Sequence, residues 1–319
     1  MKKVVVSLGV IFSLYLITVI FLGVVAIKQT DNSNLDYNNY KFKIPSDLNF
    51  CGELAPIHDI EFRKKLDKQL YNYSHIKSGN YLLHKRANAY LNRIARILKQ
   101  NKLPEDLKYI AIVESQFLNK RSRKGAAGYW QFMPHTAQDY GLTFNANIDE
   151  RLNIESSTLA ACKFFKETHA VLKNWTLVAA AYNSGLGNIQ KRIKKQKEKE
   201  YYSLDLSKET EQYMIRVLAM KEIFEHPKEY GYNFKKSDLY QAIDYKILEI
   251  DSEITNLESF VALQCKDDYC FRVLNPWILS NEPLIPDSGK KFKFLIPIET
   301  ESNLNQIRLF AKNDSINGN

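Results

Sequence analysis

The chain has 319 residues, of which 45% are apolar and 25% charged, and its formal net charge is +9. That balance excludes a disordered or fibrous polymer and suits one large globular domain with a small one beside it. The positive charge is compatible with a nucleic acid, a membrane surface or an acidic polymer, and its sign alone does not choose among them.

Lys2 and Lys3 precede an uncharged apolar run from Val4 to Ile27. The run is long enough to span a bilayer and longer than the usual apolar core of a signal peptide. Val24-Val25-Ala26 offers only a weak cleavage site. Residues 1–27 therefore read as an uncleaved anchor in preference to a cleaved signal. Two lysines ahead of the span put the N-terminus inside and the remainder outside the cytoplasm. The expectation is a periplasmic or wall-facing protein held in the cytoplasmic membrane by residues 4–27. Residues 28–50, rich in Asn, Asp and Lys, read as a linker.

From His58 the pattern is helical. Asp59 to Tyr73 places Ile60, Leu66, Leu70 and Tyr73 at helical spacing. Leu82 to Leu98 does the same with Leu83, Ala87, Leu91, Ile94 and Leu98, its charges lying largely elsewhere. A third helix starts at Pro104, with Glu105 and Asp106 at its positive end. Its apolar face carries Leu107, Ile110, Ala111 and Phe117, and Glu114 falls on that same face. No Lys or Arg stands one turn away to pair with it. A desolvated carboxyl without a local cation has a raised pKa, which suits a general acid near neutral pH. The alternative is a buried Glu paired with a cation from elsewhere in the fold.

A basic loop, residues 119–124, leads into Gly125-Ala-Ala-Gly128, where small residues let backbone approach closely. Tyr129-Trp130-Gln131-Phe132 follows. Phe132 reads as core, while Trp130 beside Gln131 is open to lining a sugar site. Ile154 to Leu172 is a helix. Thr176 to Tyr182 is small, apolar and central, and it stops at Asn183-Ser184-Gly185, where glycine takes a left-handed turn. The charge run Lys191 to Glu200 reads as a solvated helix surface. Ser207 caps a last long helix through Phe224, with Glu209 in its first turn and Tyr213 one turn later.

Beyond Gly231 the pattern changes. Tyr245–Ile250 and Phe292–Pro297 read as strands, and Leu257–Leu263 and Phe271–Leu274 as helices, giving a β-α-α-β unit. Residues 301–319 read as a flexible tail. In an exported chain Cys265 and Cys270 are candidates for a local disulfide, and Cys51 and Cys162 read as buried thiols. The six histidines form no metal-binding spacing, so no metal and no cofactor is expected.

The blocks VES, GAAGYWQFMPHTAQDYGL, AAYNSG and ETEQYM, in this order and spacing, resemble the lytic transglycosylases that cleave bacterial peptidoglycan, most closely the membrane-bound D type. NFCGELAPI and the run into VES also look like that type, so the resemblance covers about residues 50–232. It implies a mainly α fold: a lysozyme-like helical catalytic domain with a substrate cleft over 51–232. A small α+β module at 240–300 follows, similar in outline to LysM sugar-binding modules but lacking their usual Gly-Asp-Thr. Carried over residue by residue, the catalytic acid falls on Glu114. Ser122, Gly128, Gln131, Met133, Tyr182, Asn183, Glu209 and Tyr213 fall on substrate-lining positions, with Tyr182 close to the carboxyl. Tyr129 departs from the usual aliphatic residue and reads as a packing or subsite difference. The implied reaction cleaves the β-1,4 bond between N-acetylmuramic acid and N-acetylglucosamine without water, leaving 1,6-anhydro ends. The implied partners are peptidoglycan strands and the membrane, and not nucleic acid. The alternatives are a lysozyme-like hydrolase, with Glu209 as second carboxylate, and a non-catalytic wall-binding protein.

Overall fold

A computed structural model describes residues 44–75 and 77–316. The proposed span Val4–Ile27 and most of the linker lie outside those residues. Among the described residues no helix is long and apolar enough to cross a membrane.

The fold is built around one buried helix. Residues Lys208–Glu225 form it, and apolar or small side chains occupy nearly every turn: Tyr213, Met214, Val217, Leu218, Ala219 and Ile223 are all buried. A helix buried along most of its length is a central one, and here even Lys221 and Glu222 are buried. Its first turn is capped by Ser207, whose Oγ accepts from Thr210 N at 3.2 Å. Around it pack three others: α1 (Ile60–His75), α3 (Lys108–Ser115) and α6 (Trp175–Ser184). The remaining helices of this part are α2 (Lys77–Gln100), α4 (Pro134–Asp139), α5 (Ile154–Leu172) and α7 (Leu186–Gln196), so the central helix is α8.

Local chemistry sets the helix ends. Asn153 caps α5 through Glu155 N and Ser156 N at 3.0 and 3.2 Å. Asn174 caps α6 through Leu177 N at 2.7 Å. A carboxylate helps as well: Glu53 accepts from Trp175 N, from Thr176 N at 2.8 Å and from Thr176 Oγ1 at 2.6 Å. Negative charge at a helix N-terminus is stabilising. Glu53 belongs to a short hairpin, β1 (Asn49–Phe50) with β2 (Glu53–Leu54). Leu48 and Phe50 are buried, so the expected linker ends before Leu48, because its last apolar residues join the core.

The C-terminal residues form the expected β-α-α-β order: β3 (Tyr245–Ile250), α9 (Leu257–Gln264), α10 (Asp268–Leu274) and β4 (Phe292–Pro297). The strands are antiparallel, with Tyr245 opposite Pro297 and Ile250 opposite Phe292. This unit shares one hydrophobic core with the preceding part. Trp277, Phe271, Phe292 and Phe294 pack in the same cluster as Ala127, Ile148 and Leu152. Backbone bonds cross as well, from Asp149 N to Trp277 O at 2.7 Å and from Leu279 N to Asn147 O at 2.8 Å. Residues 44–316 thus belong to one compact unit.

Two expectations are corrected here. The tail from residue 301 is helical: α11 (Glu301–Ile316) buries Asn303, Ile307 and Phe310. Those positions recur at helical spacing, so the segment has an apolar stripe to dock, and Phe310 meets Tyr90 edge-on at 5.2 Å. Cys265 and Cys270 are both free thiols. Cys265 lies in extended backbone just past α9 and its thiol donates to Asp267 O, whereas Cys270 sits in the first turn of α10 and donates to Leu304 O of α11. Cys162 is buried and Cys51 partly so, and both are free.

Candidate active site

Glu114 stands in the last turn of α3. The helix is shorter than its periodicity predicts: Gln116 and Phe117 take left-handed φ of 51° and 54°, and the chain turns away after Ser115. Ser115 fixes that turn, donating to Ala111 O at 2.9 Å and accepting from Phe117 N at 3.0 Å. A carboxylate at a helix C-terminus faces carbonyl dipoles and gains nothing from them.

Three neighbours decide its protonation. Burial pushes the Glu114 carboxyl up to about 7 from 4.5, and the nearby Glu209 carboxylate adds to the rise. Two effects oppose it: the Tyr213 hydroxyl donates to Oε1 at 2.6 Å, and the Arg216 guanidinium is near enough to favour the anion. Desolvation wins. Among the described residues no Lys or Arg forms an ion pair with Glu114, and Oε2 has no hydrogen-bond partner. The reading of a buried Glu held by a cation is therefore not what the fold contains.

The three α8 residues share one face by helical spacing: Glu209, Tyr213 one turn on, and Arg216 three residues further, its guanidinium 5.7 Å from the Tyr213 ring centre. Tyr213 is buried and its phenol is pushed well above its ordinary value, by burial first and by Glu114 second. It remains a donor at any physiological pH. Tyr182 is likewise raised, by burial and then by the charge of Glu114. It is not the residue that holds the carboxyl. Its hydroxyl donates to Trp130 O at 2.6 Å, tying the end of α6 to the 125–133 segment.

That segment is a tight turn. Ala127 and Phe132 exchange both backbone hydrogen bonds at 3.1 Å. Gly128 has φ of 80°, and a Cβ there would lie 1.8 Å from the Arg151 carbonyl oxygen. No other residue type fits such an approach. Gln131, at φ of 50°, turns its amide inward, donating to Gly128 O at 2.8 Å and Lys120 O at 3.1 Å. Trp130 is fully buried and its indole donates to Thr158 Oγ1 at 2.9 Å, so it is core and lines no sugar site. Tyr129 is also buried, against Tyr90 and Phe117, which accounts for the departure from an aliphatic residue as packing.

The turn is clamped from behind by charges that the linear pattern does not flag. Arg151 donates to Gly125 O at 2.7 Å and Phe132 O at 3.2 Å. Both oxygens of the buried Asp149 hold that guanidinium at 2.9 Å, and Arg121 adds a further donor at 2.9 Å. Asp149 in turn donates its backbone N–H to Trp277 O.

The fold therefore brings Glu114, Tyr213, Glu209 and Tyr182 together and attaches Gly128 and Gln131 to them through Trp130. Three expected residues make no hydrogen bond to Glu114 among the described residues. Ser122 is exposed and its Oγ accepts from Ala126 N at 3.0 Å, closing the basic loop. Met133 is 45% exposed at the start of α4. Asn183, partly buried, has no hydrogen-bond partner for its amide among the described residues. Arg216 was not foreseen, although its spacing from Glu209 and Tyr213 on a capped helix carries the signal. No group of His, Cys, Asp and Glu among the described residues has the arrangement of a metal site.

A family model described as Transglycosylase SLT domain matches residues 91–204, which include Glu114, the 125–133 turn and Tyr182. Over 187 residues the chain is 34% identical to the membrane-bound lytic murein transglycosylase D of Escherichia coli strain K12, covering 57% of this chain and 40% of that protein. The chain thus spans two-fifths of the length of the curated relatives it first matches. Among solved structures, the 70 kDa soluble lytic transglycosylase of Escherichia coli matches with a TM-score of 0.37 and 17% identity, over 57% of this chain and 32% of that one. The lytic transglycosylase Slt of Pseudomonas aeruginosa matches with a TM-score of 0.34 and 21% identity, over 47% and 26%. The similarity to known proteins thus lies in residues 91–204, which match the Transglycosylase SLT domain, and in the 187 residues that are 34% identical to a membrane-bound lytic murein transglycosylase.

Proposed function

We propose that this protein cleaves the β-1,4 bond between N-acetylmuramic acid and N-acetylglucosamine in peptidoglycan without water, leaving 1,6-anhydro ends. The observation that carries this is the Glu114 carboxyl, poised at about 7 with one oxygen held by Tyr213. A group that must give a proton and then take one needs a pKa near the working pH. Glu114 protonates the leaving oxygen as the C1–O bond breaks. Its carboxylate then takes the proton of the muramic acid 6-hydroxyl, whose oxygen closes on C1. The nucleophile is tethered within the substrate, so one carboxyl suffices where ordinary glycosidases use two. Tyr213 keeps Oε1 engaged and leaves Oε2 for the proton traffic. Glu209, Gln131, Asn183, Ser122, Gly128 and Met133 position glycan.

In this reading residues 51–232 carry the reaction, residues 4–27 anchor the chain in the cytoplasmic membrane, and the glycan lies outside the cytoplasm. Mass spectrometry of products released from purified sacculi tests it: anhydro ends are expected, and Glu114→Gln yields none while keeping the wild-type circular dichroism spectrum. Products with only reducing ends would instead mean a hydrolase, with Glu209 activating water. Unchanged strands after long incubation with the wild-type chain would mean a wall-binding protein.

A further inference from the structure

A concavity of about 430 Å³ opens between α7 and the start of α8. Lys191, Arg192 and Lys195 of α7 line it, facing Ser207 and Thr210 of α8, with Ser184 at its end; no acidic side chain lines it. Lys191 and Lys195 stand one turn apart, where like charges repel. Arg192 has a partial partner, with Asp205 O at 3.1 Å and the Asp205 carboxylate at 3.8 Å. Neither lysine is ion-paired among the described residues. The N-terminus of an 18-residue helix, α8, closes the opposite wall, its positive end already capped by Ser207 and offset by Glu209 and Glu211 in the first turn. The lining thus carries three cations and no carboxylate, with Ile189 and Leu206 adding apolar surface.

Its position says which anion. Ser184 follows Tyr182 and Asn183, and Thr210 follows Glu209 and precedes Tyr213 by one turn. The same two helix ends that bring Tyr182 and Tyr213 to Glu114 thus frame the basic space. A glycan whose bond faces Glu114 has no charge of its own along the sugars, but the short peptide it carries ends in free carboxylates.

We propose that this concavity binds the carboxylates of the peptide attached to the muramic acid, so that Lys191 and Lys195 give the protein a preference for peptide-bearing strands. The inference rests on the reading of Glu114 as acting on peptidoglycan. Flexible exposed lysines suit a peptide that varies in length and conformation, whereas a fixed buried fork would select one geometry.

The test measures binding without turnover. Free stem peptide is titrated into the full chain carrying Glu114→Gln, with and without Lys191→Ala and Lys195→Ala together. The double change is expected to weaken binding about three- to tenfold at low salt, and 0.5 M NaCl to erase the difference. Peptide with amidated carboxylates should bind the unchanged site as weakly as the free peptide binds the altered one. In the otherwise wild-type chain the ratio of KM for peptide-stripped to peptide-bearing strands should fall toward one in the double variant. Equal peptide affinity with and without the lysines overturns the proposal, as does a phosphodiester wall polymer that binds more tightly than the peptide through the same lysines. Lysine-dependent peptide binding, together with no anhydro product from the chain that keeps Glu114, would overturn the reading of Glu114 and leave this site standing. Turnover without lysine-dependent binding would do the reverse.

Discussion

Tyr213 donates its phenolic hydrogen to Glu114 Oε1 at 2.6 Å across a separation of 99 residues, joining the last turn of α3 to the second turn of α8. The bond favours the charged carboxylate, against the burial that disfavours it. Tyr213→Phe removes only the donor. The Glu114 pKa should then rise above about 7, and the alkaline limb of the pH–rate profile should move up by roughly one unit. A fall in kcat of about tenfold is expected with it, since the general acid leaves its best range. A pH–rate profile identical to wild type would show that the bond does not tune the acid.

The same raised pKa has a cost in stability, with a definite sign. Between pH 4.5 and about 7 the folded protein holds a proton on Glu114 that the unfolded chain releases. Stability attributable to this group is therefore highest in acid and falls as pH rises through that window. Glu114→Gln removes the penalty, and should stabilise the protein above pH 7 by up to about 3 kcal/mol while changing little below pH 4. Urea denaturation of both proteins at pH 4 and pH 8 checks this. A variant equally or less stable at pH 8 would mean that the carboxyl is not desolvated.

Gly128 should tolerate no side chain. In Gly128→Ala the new Cβ would overlap the Arg151 carbonyl at 1.8 Å and adopt φ of 80°. Backbone strain and forced displacement together should cost at least about 2 kcal/mol. Because the 125–133 turn must move to relieve the overlap, activity should fall by more than the folded fraction does. Urea melts and turnover measured on the same preparation separate the two effects.

Asp149 is the keystone of the clamp behind that turn. Asp149→Ala would leave the Arg151 guanidinium buried without its carboxylate, an uncompensated charge costing about 3–5 kcal/mol. Trp277→Ala, on the far side of the same backbone bond, should cost about as much through cavity formation in the shared core. Calorimetry should show a single transition moved down in both variants. Two separable transitions, with only one shifted, would mean that the C-terminal unit folds apart from the helical part that precedes it.

Most of the helices and both C-terminal strands are legible in the sequence from their period, as in the alternation of Tyr245–Ile250, and the last long helix from its Ser207 cap as well. Glu114 was legible for the same reason, as a lone carboxyl on an apolar face. What could not be read locally depends on distant partners. Nothing in the neighbourhood of Tyr182 says that its hydroxyl will choose the Trp130 carbonyl and leave the carboxyl to Tyr213. Asp149 and Arg151 look like ordinary surface charges until the fold buries them. Trp130 beside Gln131 suggested a sugar platform, but Thr158, 28 residues away, satisfies the indole and lets it enter the core. The helix at 301–316 was missed for a different reason. Its stripe of Asn303, Ile307 and Phe310 is too polar to register until Tyr90 and α10 supply a surface for it.

The shared core also draws on residues that are made late in synthesis. Glu114 and the turn at 125–133 are synthesised long before Trp277, Phe292 and Phe294, the side chains that complete the cluster around Ala127, Ile148 and Leu152. A nascent chain that has already emerged through α8 would hold every reacting group and still lack the back wall that fixes the turn. The proposed cleavage would then be withheld until synthesis is nearly finished. Chains truncated after residue 240 should be inactive and readily digested by protease, and full activity in such a fragment would remove this safeguard.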